Sequence, residues 1–344
     1  MKTRYILPVI LLSVLISCQT EVEYTGEITE PKLVVFARTD ISSAVQSHIC
    51  YVQHSTFFLE DEPVEGSFLN DAVVEWQLND GAFHPFAFVP DNCAYLPSSS
   101  LPGAAAGDLV TFRVSHPLYG TTSATQTIPC LPSVRTENIR IETATDTLYD
   151  YSRQTEDSIV PVVYAWQKIS LDLVFPAFAT GDDDVAEISA CMVYHSEEDS
   201  VYCLNAYLDG TDPLFRSRTD EMDMGIIDDL SSLFGDGKSR YEALYFPVSA
   251  VRQGKKAAVT VFTPSDTELP DSLLLTVRVM THDAWLYRTT IGKQSSSGSV
   301  LGLGQEEKVQ VYGNFSGDVI GVFIASAEEI HAVRINESND SISL

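Results

Sequence analysis

The chain has 344 residues and carries 48 acidic side chains against 21 basic ones, which gives a formal net charge of -27 at pH 7. This length allows two domains, each able to bury a core, while the charge argues against nucleic-acid binding, because phosphates are bound by clustered lysine and arginine. We interpret the acidity as a solvated surface that keeps the protein soluble, and a dedicated cation-binding role is the alternative.

The first residues have the features of a signal peptide. Basic residues occupy two of the first four positions, and the apolar run at 5–16 is too short for a bilayer-spanning helix of about 20 residues. It leads into Leu15-Ile16-Ser17-Cys18, which matches the bacterial lipobox. We therefore predict residues 1–17 as a lipoprotein signal peptide and Cys18 as the lipidated residue, since each buried CH₂ of an acyl chain contributes roughly 0.8 kcal/mol. An ordinary secretory signal is the alternative.

The residues after Cys18 bear on the location of the protein. Gln19 follows the cysteine, where an aspartate could retain the protein at an inner membrane. We therefore expect an outer-membrane lipoprotein, on the periplasmic or the cell-surface side. Residues 18–30 are polar and acidic, and we predict that they form a flexible tether between the lipid and the folded part.

From Lys32 onward the sequence has the pattern of short strands. The clearest lies at 70–79, where Ala72, Val74 and Trp76 share one face, as expected of a half-buried strand. The other predicted strands are 33–37, 48–54, 83–89, 108–116 and 123–128. We therefore predict an immunoglobulin-like β-sandwich over residues 31–130. The prolines of Pro129-Cys130-Leu131-Pro132 end it, because they cannot continue a central strand.

Residues 131–338 are predicted to form a larger C-terminal β-rich domain, sandwich or barrel-like, with one or two short helices. The predicted strands are 168–175, 241–248, 257–263, 273–280 and 309–325. One helix is indicated by apolar spacing at 226–234, and Thr281 can cap a second helix that carries Trp285. Residues 339–344 are predicted as a tail. The predicted fold class is therefore mostly β, in two domains.

Five cysteines remain once Cys18 is assigned to lipid, and an odd number cannot pair completely within one chain. Cys191 and Cys203 are the best candidate disulfide, because a hairpin centred on Glu197 would place them directly opposite one another. Two buried free thiols are the alternative. The sequence leaves open the pairing of the others, Cys50, Cys93 and Cys130.

Candidate sites for chemistry are few. Asp182, Asp183 and Asp184 are oxygen ligands of the kind that calcium prefers, but a solvated acidic turn is the alternative, since they lack the alternating spacing of a calcium loop. His282 and Asp283 are a candidate dyad, with the decoration of a helix start as the alternative. The sequence contains no HExxH, GxSxG or GxGxxG motif and no zinc-ligand spacing. We therefore predict no catalytic residues, cofactor or metal.

Several short motifs are shared with a known family. They are Leu33-Val34-Val35-Phe36 after the lipobox, Asp71-Ala72-Val73-Val74, Ile128-Pro129, the turn Asp228-Asp229-Leu230 with Leu233-Phe234-Gly235-Asp236-Gly237-Lys238, and Tyr312-Gly313-Asn314-Phe315-Ser316-Gly317 with Gly321-Val322-Phe323. With these motifs the chain resembles the Bacteroidota lipoprotein family called domain of unknown function 4249. The resemblance implies an envelope lipoprotein encoded near TonB-dependent outer-membrane transporters, and it supplies no catalytic residues.

Three functions are consistent with the sequence. The leading hypothesis is a non-catalytic accessory lipoprotein that binds or scaffolds beside a TonB-dependent transporter, with an unknown ligand. The second is a fimbrial-type subunit of a surface fibre assembled by strand exchange, for which Arg38, just after the first apolar strand, is a candidate processing site. The third is a hydrolase with scattered carboxylates, which a carboxylate pair roughly 5–10 Å apart in a cleft would favour.

Overall fold

A computed structural model describes residues 30–42, 46–55, 67–131, 133–155, 158–177, 183–195, 201–209, 212–215, 241–264, 270–296 and 311–335, with the backbone alone at 143–155, 158–167, 195, 263–264 and 292–296. The predicted signal peptide, most of the tether with Cys18, the helix at 226–234 and the tail lie outside the described residues. The described part is mostly β, as predicted.

The first strands of the chain follow the predicted ones closely. They are β1 (Leu33–Ser42), β2 (Gln46–His54), β3 (Val73–Leu78), β4 (Phe83–Val89), β5 (Ala94–Pro97), β6 (Leu109–His116) and β7 (Gly120–Thr127). A 3-10 turn at Pro90–Asn92 separates β4 from β5. Every strand predicted before residue 130 is present, and β5 is an additional one. The alternating apolar pattern identified these strands because one of their faces is buried.

The later elements include one strand that the sequence did not delimit, at Arg135–Thr155, and one that begins well before its predicted start, at Ser158–Phe175. They are β8 (Arg135–Thr155), β9 (Ser158–Phe175), β10 (Val185–His195), β11 (Val201–Asn205), β12 (Tyr207–Asp209), β13 (Ala243–Pro247), β14 (Lys255–Pro264), β15 (Ser272–Met280) and β16 (Ile320–Arg334). A 3-10 turn spans Val248–Val251. The helix α1 (His282–Ser296) begins directly after Thr281, where a helix was predicted.

The described strands form two sheets. The larger sheet has twelve strands in the order β11-β10-β15-β16-β1-β2-β5-β4-β3-β6-β7, and β13 also pairs with β10. The smaller sheet has the order β12-β14-β9-β8. Within the described residues neither sheet closes into a barrel, so the barrel-like form of the C-terminal region is wrong. The arrangement is sandwich-like, because the two sheets bury their apolar faces against each other.

Strand β16 connects the N-terminal and C-terminal parts of the larger sheet. It pairs in parallel with β1, where Ile320 lies beside Val34 and Glu328 lies beside Ser42. It also pairs with β15 in antiparallel orientation. Strand β1 is therefore an interior strand, with β16 on one side and β2 on the other.

Two main hydrophobic clusters form the core. The first cluster is formed by the inward side chains of β1–β7, and it also receives Phe315, Phe323 and Ala325 from the C-terminal part. The rings of Phe112 and Phe323 meet edge to face with centroids 5.0 Å apart. The second cluster lies between the smaller sheet and strands β10, β13 and β15. Each large buried side chain contributes roughly 1.5–3 kcal/mol by leaving water.

Helix α1 packs on the opposite face of the larger sheet. Ala284 and Trp285 of the helix join Val185, Tyr245 and Met280 in a third, smaller cluster. Trp285 is only 2% exposed. The sheet is therefore covered on both faces at this point, by the smaller sheet on one side and by the helix on the other.

Two glycines allow backbones to approach very closely in the last of the shared family motifs, Tyr312–Gly317 with Gly321–Phe323, which we name the closing motif. A Cβ atom added to Gly321 would lie 2.2 Å from the carbonyl oxygen of Val35, and one added to Gly313 would lie 2.6 Å from the carbonyl oxygen of Gly321. Both distances are shorter than any van der Waals contact. The glycines of this motif therefore serve the packing of segment 311–317, β16 and β1.

A buried histidine in the first cluster is expected to make stability depend on pH. The His48 side chain contacts Trp76, with ring centroids 5.0 Å apart, and its Nδ1 is hydrogen-bonded to the Thr39 hydroxyl at 3.2 Å. Burial lowers the pKa of His48 from 6.5 to about 4, against the opposing charge of Asp40. Between pH 6.5 and about 4, the His48 imidazole is therefore protonated in the unfolded chain but not in the folded protein.

We expect the free energy of unfolding to fall as the pH decreases from 6.5 to about 4, by up to about 3 kcal/mol from this group. The variant His48→Gln should lose this part of the pH dependence in urea unfolding series. His54→Gln, on the same strand, is the control and should keep it. An unchanged slope in His48→Gln would contradict the assignment.

Candidate functional site

A groove of about 450 Å³ lies on the face of the larger sheet that points away from the first cluster. It crosses β15, β16, β1 and β2. Its lining residues are Phe36, Arg38, Asp40, Ser42, Ser47, Ile49, Tyr51, Arg278 and Glu328. Pockets of roughly 300–1,000 Å³ are typical of small-molecule sites. We name it the outer groove.

The period-two geometry of β1 explains why one strand serves both the core and the groove. Leu33 and Val35 point inward and are 1% exposed. The alternate residues Phe36, Arg38 and Asp40 line the outer groove and are half-buried. Successive side chains of a strand point to opposite faces, so the apolar and the charged residues of β1 are separated by the pleat.

An ion pair forms one wall of the outer groove. Arg278 on β15 and Glu328 on β16 are directly opposite one another in the register. The Nε and Nη2 atoms of Arg278 both donate to Oε2 of Glu328, at 3.0 and 2.5 Å. Burial lowers the pKa of Arg278, but the hydrogen bond to Glu328 and the charge of Glu187 outweigh it and raise the pKa. Arg278 is therefore a fixed cation at this wall.

A second ion pair lies on β1. Arg38 pairs through Nε with Asp40, and the Ser326 hydroxyl of β16 donates a hydrogen bond to the same carboxylate. The side chain of Arg38 is 42% exposed and that of Asp40 is 22% exposed. Both groups are therefore held in place yet accessible from the groove.

Aromatic rings form the other end of the outer groove. The ring of Phe36 lies 6.2 Å from that of Tyr51 on β2 and 5.8 Å from that of Tyr287 on α1, measured between centroids. Burial raises the pKa of Tyr287. Phe36, Ile49 and Tyr51 give the groove an apolar surface beside its charged one, and Tyr287 packs against Phe36 from the helix.

The row of charges continues beyond the groove. Glu187 on β10 is opposite Arg278 in the register and forms an ion pair with Arg288 of α1. The Arg288 guanidinium lies over the Tyr245 ring, 5.2 Å from its centroid. Burial, followed by the charge of Glu187, raises the pKa of Tyr245. Cations and carboxylates therefore alternate across four neighbouring positions, Arg288, Glu187, Arg278 and Glu328.

The outer groove offers both signs of charge together with an apolar surface. Among the described residues its reactive groups are two guanidiniums, two carboxylates and the hydroxyls of Ser42, Ser47 and Tyr51, and no histidine or cysteine lines it. This composition suits the binding of a small polar ligand. A few convergent polar groups beside apolar ones are what orient ligands in such pockets.

The sequence interpretation did not identify this groove. Of the residues that line it, the sequence indicated a functional role for Arg38 alone, as a candidate processing site just after the first strand. That placement is wrong, because β1 continues to Ser42 and Arg38 lies within it. A usable signal was present in the opposite charges of Arg38 and Asp40, two positions apart on the polar face of an apolar strand.

The predicted acidic cluster is only partly described, because Asp182 lies outside the described residues. Asp183 is exposed and Asp184 is half-buried. Burial and then the charge of Asp183 raise the pKa of Asp184, and His282 opposes this. Within the described part of the chain, no group of three histidine, cysteine or acidic residues is placed to hold a metal ion. A cation at these aspartates stays a prediction.

Cys191 and Cys203 are joined by a disulfide between β10 and β11, with Cα atoms 6.0 Å apart. Their register differs from the predicted one. Cys203 lies opposite Val193, and Cys191 lies opposite Asn205, so the disulfide joins diagonal neighbours. The hairpin is therefore not centred on Glu197. Three further cysteines are free within the described residues, namely Cys50, Cys93 and Cys130.

The Asp283 carboxylate, at the start of α1, accepts three side-chain hydrogen bonds. The donors are Tyr312 at 2.6 Å, Asn314 at 3.0 Å and Gln126 of β7 at 2.5 Å. Burial raises the pKa of Asp283, but these hydrogen bonds outweigh it and lower the pKa. Burial and Asp283 together raise the pKa of Tyr312 to about 12. Asp283 therefore joins α1, β7 and the closing motif.

The fold and the groove define a mostly β, sandwich-like protein with a ligand-sized groove on the outer face of its larger sheet. The chain belongs to the family described as domain of unknown function (DUF4249), whose model matches residues 19–330. The family resemblance found in the sequence is thereby confirmed.

Other comparisons add little. A comparison with curated proteins finds no match. One similar solved structure comes from work on the manganese lipoxygenase of Gaeumannomyces graminis, with a partial structure of zonadhesin of Komagataella pastoris. It is 12% identical and covers 73% of this chain and 89% of that one, at a TM-score of 0.13. Such a low score supports no argument about function. Among the described residues, no helix has the length and apolar character needed to span a membrane.

Proposed function

We propose that this protein is a non-catalytic lipoprotein, anchored in the outer membrane through Cys18, that binds a ligand or scaffolds beside a TonB-dependent transporter. The observation that carries the binding role is the outer groove, whose charged groups are each held by a partner of opposite charge. Groups fixed before binding lose less side-chain entropy when a ligand arrives. The lipobox supports the lipid anchor, and the family resemblance supports the transporter as the partner.

We also propose two domains, an immunoglobulin-like one over residues 31–130 and a larger one over residues 131–338. The separation of the first and second hydrophobic clusters supports this division. Strand β16 contributes to both clusters, through Phe323 in the first and Val333 in the second. On this proposal the N-terminal domain completes its sheet with a strand supplied by the C-terminal one.

The anchor is tested by substitution of the lipobox cysteine. Cys18→Ala should shift the protein from the membrane fraction to the soluble fraction, because it removes the only attachment that the proposal provides. Cys93→Ala, at a half-exposed free cysteine, is the matched control and should stay in the membrane fraction. Mass spectrometry of the mature N-terminus gives a direct reading. An unmodified Cys18 in the wild-type protein would contradict the proposal.

The partner is tested by purification from cells in mild detergent. A tagged wild-type protein should bring down a TonB-dependent transporter in stoichiometric amount. The Cys18→Ala protein, expressed at the same level, is purified in parallel to show whether co-purification depends on the lipid anchor. A clean monomer from wild-type cells under these conditions would argue against a transporter partner while leaving the anchor untouched.

One observation favours a hydrolase as the second candidate. Asp40 and Glu328 line the same groove from adjacent strands, and carboxylate pairs in a cleft are the usual groups of glycoside hydrolysis. Each of them is already paired with an arginine, which suits binding better than proton transfer. Turnover of an oligosaccharide that both Asp40→Asn and Glu328→Gln abolish would establish the hydrolase.

The structure gives less support to a fibre subunit. Strand exchange requires a first strand that is missing or removable. Strand β1 is present, is paired on both sides and buries Leu33 and Val35 in the first cluster. Cleavage at Arg38 would cut this strand in the middle. Ladders resistant to SDS in cell extracts remain the observation that would favour the fibre.

A further inference from the structure

We propose that the outer groove binds short peptides with free ends, the ligand ammonium lying against Glu328 and Asp40 and the ligand carboxylate against Arg278 and Arg38. This inference rests on the proposed binding function and names its ligand class. The charge balance of the groove, its remaining hydrogen-bonding groups and its apolar surface support this ligand class.

The groove is balanced in charge. Arg38 and Arg278 are matched by Asp40 and Glu328, and all four side chains are between 22% and 42% exposed. A ligand with one net charge would leave an uncompensated charge in this half-buried site, which is costly. A zwitterion adds one charge of each sign and leaves the groove neutral. In a chain with net charge -27, a free anion would also meet general repulsion.

The paired groups keep hydrogen-bonding capacity for a ligand. A guanidinium has five N–H donors. Arg38 makes its closest contact with Asp40 through Nε, and Arg278 uses Nε and Nη2 with Glu328. Both contacts of Arg278 reach Oε2 of Glu328, so Oε1 has no partner among the described residues. Guanidiniums bind carboxylates in bidentate fashion, and carboxylates accept several donors.

The apolar end of the groove matches the side chain of a peptide. Phe36 provides part of this surface two residues before Arg38 on β1, and Tyr51 and Ile49 of β2 lie opposite Phe36 and Arg38 in the register. A volume of about 450 Å³ exceeds what a single small ion fills. A neutral glycan would also stack on aromatic rings, but it leaves the four charges unused. A short peptide uses the charged and the apolar surfaces together.

The test compares peptides that differ only in their ends. Full-length protein in mild detergent is incubated with random tripeptides, supplied with free ends, N-acetylated, C-amidated or blocked at both ends, and bound peptides are measured by mass spectrometry. We expect free-ended peptides to be retained at least about tenfold more than doubly blocked ones, and singly blocked ones to lie between. The wild-type comparison needs no variant that might misfold.

Variants then assign the two ends. Glu328→Gln should lower the retention of free-ended and C-amidated peptides and leave that of N-acetylated peptides unchanged. Arg278→Gln should lower the retention of free-ended and N-acetylated peptides and leave that of C-amidated peptides unchanged. The control is Arg113→Gln, which removes an ion pair with Glu75 outside the groove and should change nothing. Thermal unfolding verifies that each variant is folded.

Several results would overturn the inference. They are equal retention of free and blocked peptides, no retention at millimolar concentration, and selective retention of neutral oligosaccharides in the same assay. None of these results would alter the membrane fraction of the protein or its co-purification with a transporter, so failure of the peptide proposal is distinguishable from failure of the proposed function.

Discussion

Replacement of Gly321 by alanine is expected to lower the free energy of unfolding by about 3 kcal/mol or more, which is a large part of the roughly 5–15 kcal/mol that stabilises a typical domain. The added Cβ would lie 2.2 Å from the carbonyl oxygen of Val35. Relief of this clash requires the backbones of β1 and β16 to move apart, because the contact involves a main-chain oxygen. Such a movement breaks the hydrogen bonds of the parallel pair.

The surroundings of Gly321 leave little room for that movement. Val35 is 1% exposed, and β1 is held on its other side by β2. Gly103→Ala is the matched control, since its Cβ would meet only the Gln46 side chain at 3.8 Å, and it should stay within about 1 kcal/mol of the wild type. Both variants are compared by urea unfolding. A Gly321→Ala protein as stable as Gly103→Ala would show that the approach of β1 and β16 is looser than described.

Asp283→Ala is expected to lower the free energy of unfolding by about 3 kcal/mol at neutral pH. The substitution leaves the donors of buried Gln126 and of half-buried Tyr312 and Asn314 without their common acceptor, and hydrogen bonds to a charged group contribute about 1.5–3 kcal/mol each. Because these bonds join three separate segments, we expect α1 and the closing motif to loosen together. Hydrogen exchange of α1 should increase accordingly.

The pH dependence separates this effect from simple loss of packing. The folded-state pKa of Asp283 is lowered, so its contribution is present above the ordinary carboxyl pKa and is lost as the pH falls through the lower folded-state value. The difference between wild type and Asp283→Ala should therefore shrink in acid. Asp318→Ala, which removes an exposed ion pair with Lys32, is the control and should cost less than about 1 kcal/mol. A difference that is constant with pH would contradict the role of the charge.

The sequence predicted those strands whose two faces differ in polarity. Strands β3, β6 and β15 alternate apolar and polar residues, and each was identified with its bounds correct to a few residues. Helix α1 was found from its cap at Thr281 and its apolar Trp285. These signals are local, because they depend on residues only a few positions apart.

Other features depend on distant residues and left no local signal. Strand β8 was not delimited. Among the described residues it pairs with β9 alone, at the edge of the smaller sheet, and its Ile139 and Ile141 are exposed rather than buried in a core. The register of the Cys191–Cys203 hairpin differed by a shift of its turn, because the segment between the cysteines has several residues suited to a turn. A register centred midway between the two cysteines was therefore not the one that forms.

The outer groove was unpredictable for the same physical reason. Arg38 and Asp40 meet Arg278 and Glu328 only because β16 pairs with β1 in parallel. A parallel pair between strands far apart in the sequence has no connecting hairpin turn, so no turn motif in the sequence indicates it. The charged residues of each strand therefore looked like ordinary solvated positions until the partner strand was known.

The parallel pair of β1 and β16 also has a consequence for biogenesis. Asp40 and Ser326, which are hydrogen-bonded, are 286 positions apart in the sequence. Strand β1 emerges early in synthesis and can pair at once with β2, but it gains its second neighbour, β16, only when almost all of the described chain has been made, and pairings over such distances form slowly. The middle of the larger sheet, rather than its margin, is thus the last part to be completed. On the proposed outer-membrane location this order suits export, because a chain that cannot finish folding prematurely can pass through an export channel as an extended polypeptide.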